Sequence, residues 1–342
     1  GNVDFAAGEN YFTVATNTLT SPGCLVGANG WWNASSLELA DGTPISFFSD
    51  LVAGNHFVQN TGTAKPTFKK IYLNFNPSLV YDGTSDWMDI STATITGAKS
   101  VFTLQEDQKL AVDYNHVLYG TKAGGTLTAP YYHAGNSTLH WSSAGMTNDA
   151  GGGWRLNGAT ATDATAWRKA TATVQSMPDL AVWNSTKATQ FGTISYQAGY
   201  TTRFWQGPIP EILYYNAKLA DADLNKVESY FAIKYGITLG TPASNNASYA
   251  RGDGTVIWSG TSNSGYNNNI FGIGRDDCQS LHQRQARSEN NSGILAIGNN
   301  NTIDWTNGNT SAGGNDLGSN QSFLMVGDNG ATAKFSSTGA PV

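Results

Sequence analysis

The sequence predicts an all-β protein, a two-sheet sandwich closed by one helix and followed by a smaller β-rich domain, and three observations predict it. Short apolar or alternating runs recur along the 342 residues, each fenced by Gly, Pro, Asn or Asp. Only 13% of residues are charged while Gly, Asn, Ser and Thr abound, the composition of turn-rich extracellular β proteins rather than of a helical enzyme. Helical spacing stands out in one stretch, from Asp221 to Tyr235. Ten Trp, fifteen Tyr and fourteen Phe supply core material that a disordered chain lacks. The length exceeds that of a usual single domain, so two are expected.

In chain order, residues 1–26 read as an arm, with Tyr11-Phe12-Thr13-Val14 as an edge strand ahead of the Ser21-Pro22-Gly23 turn. The sandwich is expected over residues 27–239. Its strands read as Ile45–Phe48, Lys70–Phe75, Leu79–Tyr81, Ser100–Leu104, Lys109–Tyr119, Ala181–Trp183 and Ile209–Asn216. In the last of these the faces alternate, with Ile209, Glu211, Leu213 and Tyr215 on one side and Ile212 and Tyr214 on the other. The helix follows. Asp221 and Asp223 occupy its first turn, where carboxylates favour the positive end of the dipole. Leu224, Val227, Phe231 and Tyr235 form the apolar stripe, and Gly236 is the C′ stop. That stripe is expected to pack on the outside of the sandwich or against the next domain. Gly240-Thr241-Pro242 marks the boundary, and residues 240–342 carry further apolar runs at Thr255–Trp258, Ile270–Gly274, Ile294–Gly298 and Phe323–Gly327.

The stretch Gly207–Leu239, GPIPEILYYNAKLADADLNKVESYFAIKYGITL, resembles the closing strand and terminal helix of laminin-G-like, concanavalin A-like jelly-roll domains of large secreted and surface proteins of Bacteroidetes-type bacteria. Lys65-Pro66 and the run from Asn76-Pro77 through Asp82-Gly83 to Asp86-Trp87 resemble the early strands of the same family, with Tyr81 and Trp87-Met88 as mild departures. Downstream, DGTVIW, YNNNIFGIGRDD, Leu281 to Ser288 and FLMVGDN resemble an uncharacterised β-rich domain that commonly follows it. The resemblance implies a secreted or cell-surface module for adhesion or glycan recognition, part of a larger parent exported across the outer membrane, with the type IX pathway as the route such company suggests. The opening Gly1-Asn2-Val3 fits both a mature terminus left by signal-peptide removal and an arbitrary boundary, and the turn-like close Gly339-Ala340-Pro341-Val342, with no closing element, agrees with a fragment of something longer.

Several classes of function fall away. A net charge of −6 with no Lys/Arg run argues against phosphate-backbone binding, so no nucleic-acid partner is expected. No apolar run approaches the eighteen or more residues of a membrane helix. The five His residues have no metal spacing, and the sequence holds no nucleophile elbow, phosphate loop or zinc-hydrolase motif. Cys24 and Cys278 are too few for a thiolate metal site; a bridge between arm and second domain and two separate thiols both fit the sequence.

Candidate binding residues cluster between Gly120 and Arg168, where glycine-rich stretches separate large aromatic residues. Tyr131, Tyr132, His133, His140, Trp141, Trp154 and Arg155 are the residues read there as a platform for a glycan or surface polysaccharide, with the aromatic faces stacking on sugar rings. The opposite reading makes each ring a core anchor. Asp82, Asp86 and Asp89, with Asp50 and Asn115, are candidate oxygen ligands for Ca2+, which some laminin-G-like domains bind, although turn Asp residues usually bond their own backbone. Catalysis on a jelly roll needs two carboxylates facing one cleft, as in the ExDxxE strand of laminarinase-type hydrolases. Here Glu106 and Asp107 are adjacent and point to opposite faces of a strand, and Glu211 reads as a buried acid paired with Arg203 or backbone amides. The tripeptide Arg251-Gly252-Asp253 reads as a turn leading into a strand, and the sequons at Asn136 and Asn184 follow from composition.

Overall fold

The computed structural model describes residues 20–109, 118–120, 132–135, 138–141, 153–161, 176–196, 203–240, 245–290, 295–300, 302–310 and 317–331, the strands at 132–135 and 138–141 by backbone alone. Tyr11–Val14 of the expected edge strand, Asn115 and Tyr131 lie outside them. The described chain is mostly β, with one α-helix, α1 (Asp221–Tyr235), and antiparallel pairing throughout the main sheets.

A six-stranded sheet runs in the order Gly30–Asn33, Glu211–Tyr215, Ile95–Gln105, Asp179–Phe191, Trp154–Leu156, Ala159–Thr160. Alternation along its strands sorts two cores. Trp32, Val101, Ala181, Trp183, Ile212 and Tyr214 point inward, and meet Phe48, Phe57, Met88, Ile90 and Tyr119 of a five-stranded sheet and Phe68, Leu79, Tyr81 and Ile209 of a three-stranded one. Trp31, Phe102, Leu104, Leu180, Val182 and Leu213 point outward, onto α1. Each such fully buried large side chain contributes about 1.5–3 kcal/mol.

The expected strand Ile209–Asn216 is two strands. Pro210 offers no N–H to a ladder, and its carbonyl accepts from Ala34 N. Gln206–Ile209 therefore pairs with Asn76–Asp82 in the three-stranded sheet, and Glu211–Tyr215 pairs in the six-stranded one. Ile209 moves to the inner core, while Glu211, Leu213 and Tyr215 keep the outward face and Ile212 and Tyr214 the inward one.

The α1 stripe sits where its spacing puts it. Phe231 stacks on Phe102 at 6.2 Å, and Gly236 stops the helix at φ 64°. Both expected packings are realised together. The far side of α1 meets Tyr249, Ile270 and Leu281, so one hydrophobic cluster runs from the outer face of the six-stranded sheet through the helix into the C-terminal unit. In that unit the sheet of Leu281–Gln283, Asn268–Asp276 and Ser322–Asp328 lays Phe323 and Met325 over Gly274 and Gly272, where any Cβ would come within 2.5 Å of them. A disulfide joins Cys24 to Cys278 across 254 residues and closes the open sequence-level question of their pairing. Around it Gly23 N donates to Gln279 Oε1 and Thr20 Oγ1 to the Cys278 carbonyl.

Candidate functional site

A two-residue turn of the first unit, Leu73-Asn74-Phe75-Asn76, enters the second unit. Asn74 and Phe75 both have positive φ, at 46° and 63°, a conformation Asn tolerates and Phe rarely adopts. What holds it is the other unit. Asn74 N donates to Glu289 Oε1 at 2.7 Å, its Oδ1 accepts from Arg287 N at 2.7 Å, and its Nδ2 donates to the last carbonyls of α1, those of Ile233 and Lys234. The Asn74 carbonyl accepts from Gln283 Nε2 and Asn309 Nδ2. Phe75 lies under Trp305 at 4.9 Å, with the Arg287 guanidinium 5.5 Å from its ring centre. A Cβ on Gly308 would lie 2.4 Å from the Phe75 carbonyl oxygen. Burial pushes the Glu289 carboxyl up, against the opposing pull of Arg287.

Beside this joint lies a cleft of about 520 Å3 between the two units. One wall is apolar and belongs to the first unit: Leu37, Leu39, Phe68 and Pro77. The facing wall, from the C-terminal unit, carries His282, Gln283, Arg284 and Asn309. Lys70 and Glu38 sit on the first unit's side, and Asn76 and Lys234 also line it.

Lys234 is anchored from behind. Its Nζ donates to Glu211 Oε2 at 2.7 Å, Asn33 Oδ1 at 3.0 Å and Tyr230 Oη at 3.0 Å, using all three protons. Glu211 accepts further from Trp31 Nε1 at 2.6 Å, Tyr230 Oη at 3.0 Å and Tyr235 Oη at 2.8 Å. Its partner is thus Lys234 and not Arg203, because the helix, folding back on its own preceding strand, lays Lys234 directly over Glu211. Burial pulls the Lys234 ammonium down, with Glu211 opposing, and lifts both tyrosine hydroxyls well above their ordinary range. A carboxylate saturated in this way is a structural lock.

The sequence-level platform is dispersed. Trp154 is fully buried against Trp183 at 4.4 Å between ring centres, so it has no face for a ligand. Arg155 points to the opposite side of the sheet, where it grips Glu228 of α1 through Nε and Nη2. Tyr132, His133, His140 and Trp141 lie in a two-stranded pair, Tyr132–Gly135 with Thr138–Trp141, in which Tyr132 registers with Trp141 and His133 with His140.

The acids considered for Ca2+ are engaged separately. Asp82 Oδ1 accepts from the amides of Thr84, Ser85 and Asp86, and Oδ2 from the hydroxyls of Thr84 and Ser85. Asp50 accepts four backbone amides, those of Trp31, Val52, Ala53 and Asn55. Among the described residues no group of three or more His, Cys, Asp or Glu gathers to hold a metal, and no helix is long and apolar enough to cross a membrane. Asp253 closes on Arg251, 2.7 Å away, within the tripeptide itself, and Asn184 is buried with its side chain on Leu219 and Ser100.

Sequence reasoning missed the joint and its cleft. The one signal was the run Leu281 to Arg287, in which Gln283 and Gln285 stand on the same face of a strand as Leu281, polar residues that the fold buries.

Residues 223–342 are similar to a family described as a domain of unknown function, DUF8202. The match begins inside α1, so it takes in the helix that the two units share as well as the C-terminal wall of the cleft. No curated protein and no solved structure matches the chain.

Proposed function

We propose that this chain is a non-catalytic adhesion or glycan-recognition module of a secreted or cell-surface protein, built on a laminin-G-like, concanavalin A-like jelly roll with an accessory β-rich domain. The carrying observation is the chemistry of the cleft between the two units. Hydroxyl, carboxamide and cationic groups face an apolar wall there, the mixture that a sugar with one apolar and one hydroxylated face requires, and the lining residues include one carboxyl, Glu38, where a hydrolytic pair needs two. The Cys24–Cys278 disulfide supports an oxidising compartment, hence export. The inward and outward sorting of the six-stranded sheet supports the jelly roll.

A glycan array probed with the oxidised chain, with and without Ca2+, tests this reading. Binding to a defined set of glycans is expected. Silence across the array at millimolar soluble ligand would leave the rigid, disulfide-clamped pair as a spacer in a surface filament. Release of reducing sugar that Glu38→Gln abolishes would make it an enzyme.

A further inference from the structure

We infer that the cleft between the two units takes an anionic saccharide, one bearing a uronate or a sulfate ester, a specificity that rests on the glycan-recognition reading above. Two cationic residues, Lys70 and Arg284, line it with the imidazole of His282, against the single carboxyl of Glu38, while the charge of the anchored Lys234 is answered by Glu211 at 2.7 Å. This local balance is opposite in sign to the chain's net charge of −6. Such a concentration of cations over low-dielectric walls draws an anion in and is sensitive to salt. Lys70 Nζ makes one hydrogen bond, to Asn307 Oδ1 at 2.7 Å, which leaves two of its three protons for a ligand.

The second observation is at Asn76, which is 4% exposed and lines the cleft. Its Nδ2 faces three acceptors, the carbonyls of Asn74 and Lys234 and Gln283 Oε1 at 2.9, 2.6 and 3.1 Å. Three acceptors around one end of the amide fix which end is nitrogen, so the flipped arrangement is ruled out. The Asn76 Oδ1 accepts no hydrogen bond from the described residues. That oxygen is held in one orientation and is open to the cleft rather than sealed from it, so its lone pairs are available, and a sugar hydroxyl is a donor suited to them. The wall of Leu37, Leu39, Phe68 and Pro77 offers the apolar surface on which a pyranose face lies. The cleft volume, about 520 Å3, is within the range of small-ligand sites. The ligand is therefore recognised by three contacts: acid on Lys70 and Arg284, hydroxyl on Asn76, apolar face on Leu37 and Phe68.

The test is calorimetric titration of the oxidised full chain with three probes of equal length: a galacturonate oligomer, a sulfated galactan oligomer and a neutral glucan oligomer. Tighter binding of one or both anionic probes is expected, weakening as salt is raised. Lys70→Met should weaken it about tenfold or more, the worth of a charge-assisted hydrogen bond. Ser35→Trp, which puts a large ring at an exposed position of the cleft lining, should abolish binding while an unchanged melting temperature shows the fold intact. Whichever anionic probe binds identifies the acid. Equal binding of the neutral probe, indifferent to Lys70→Met and blocked by Ser35→Trp, would overturn the charge specificity and keep the glycan site. Binding indifferent to Ser35→Trp would move recognition elsewhere on the chain. Silence with all three probes, together with a silent array, would remove both readings.

Discussion

At the scale of single residues, the carboxylates divide into those held charged and those held protonated. In the Asp82–Asp86 turn, burial works against ionisation of Asp82, but the hydrogen bonds from Ser85, Thr84 and Asp86 outweigh it and hold that carboxyl well below the usual range. Its neighbour goes the other way: burial first, and then the Asp82 charge, push Asp86 from 3.8 up to about 7. A carboxyl whose pKa is raised by folding binds a proton more tightly folded than unfolded. Asp86 therefore contributes stability in full below about pH 4, and that contribution fades as pH climbs through about 7. Between these limits the wild-type chain should lose denaturant resistance relative to Asp86→Asn, which keeps the acceptor for Asp82 N. Parallel stability curves for the two proteins from pH 4 to 8 would contradict the assignment. The Glu211–Lys234 pair supports a second expectation. Glu211→Gln leaves a buried ammonium without its counter-charge and should cost about 3–5 kcal/mol in urea unfolding. Adding Lys234→Met should recover part of that loss, and strict additivity would show that the two groups are not coupled.

At the scale of elements, α1 and the strand before it were legible because their determinants are local. Period, acidic first turn and terminal Gly236 all lie within one short stretch, and the Glu211–Tyr215 alternation gives its faces directly. The break at Pro210 was visible in the letters, yet the change of sheet it produces depends on the Asn76–Asp82 strand far upstream. The turn at Asn74–Phe75 was harder. Its two residues read as the end of the expected strand Lys70–Phe75, which in the structure stops at Leu73, and their partners at Arg287, Glu289 and Asn309 lie more than 200 residues away, joined through polar groups that leave no hydrophobic pattern. The aromatic cluster misled for a related reason: Trp154 and Arg155 are neighbours on one strand, so they face opposite sides of the sheet and cannot share a site. Gly308 tests the turn. It has φ 60° and sits against the Phe75 carbonyl, so Gly308→Ala should cost about 1–3 kcal/mol and lower the melting temperature. An unchanged melting temperature would mean that the loop does not hold the turn.

At the scale of the whole molecule, the segments before and after Gly240 are not independent in packing. A helix buried on both sides, a turn planted in the neighbouring unit and a disulfide spanning 254 residues bind them. Removing that cross-link in Cys24→Ser/Cys278→Ser should lower stability by about 2–5 kcal/mol, the range for long closed loops, and urea midpoints of oxidised and variant protein would show it. The cleft exists only while the two units stay joined, because its apolar wall comes from one and its polar wall from the other. Differential scanning calorimetry of the oxidised chain measures that joining most directly. One transition with equal calorimetric and van't Hoff enthalpies is the expected result; two separated transitions, one for residues up to Gly240 and one for the remainder, would contradict a cleft built from both.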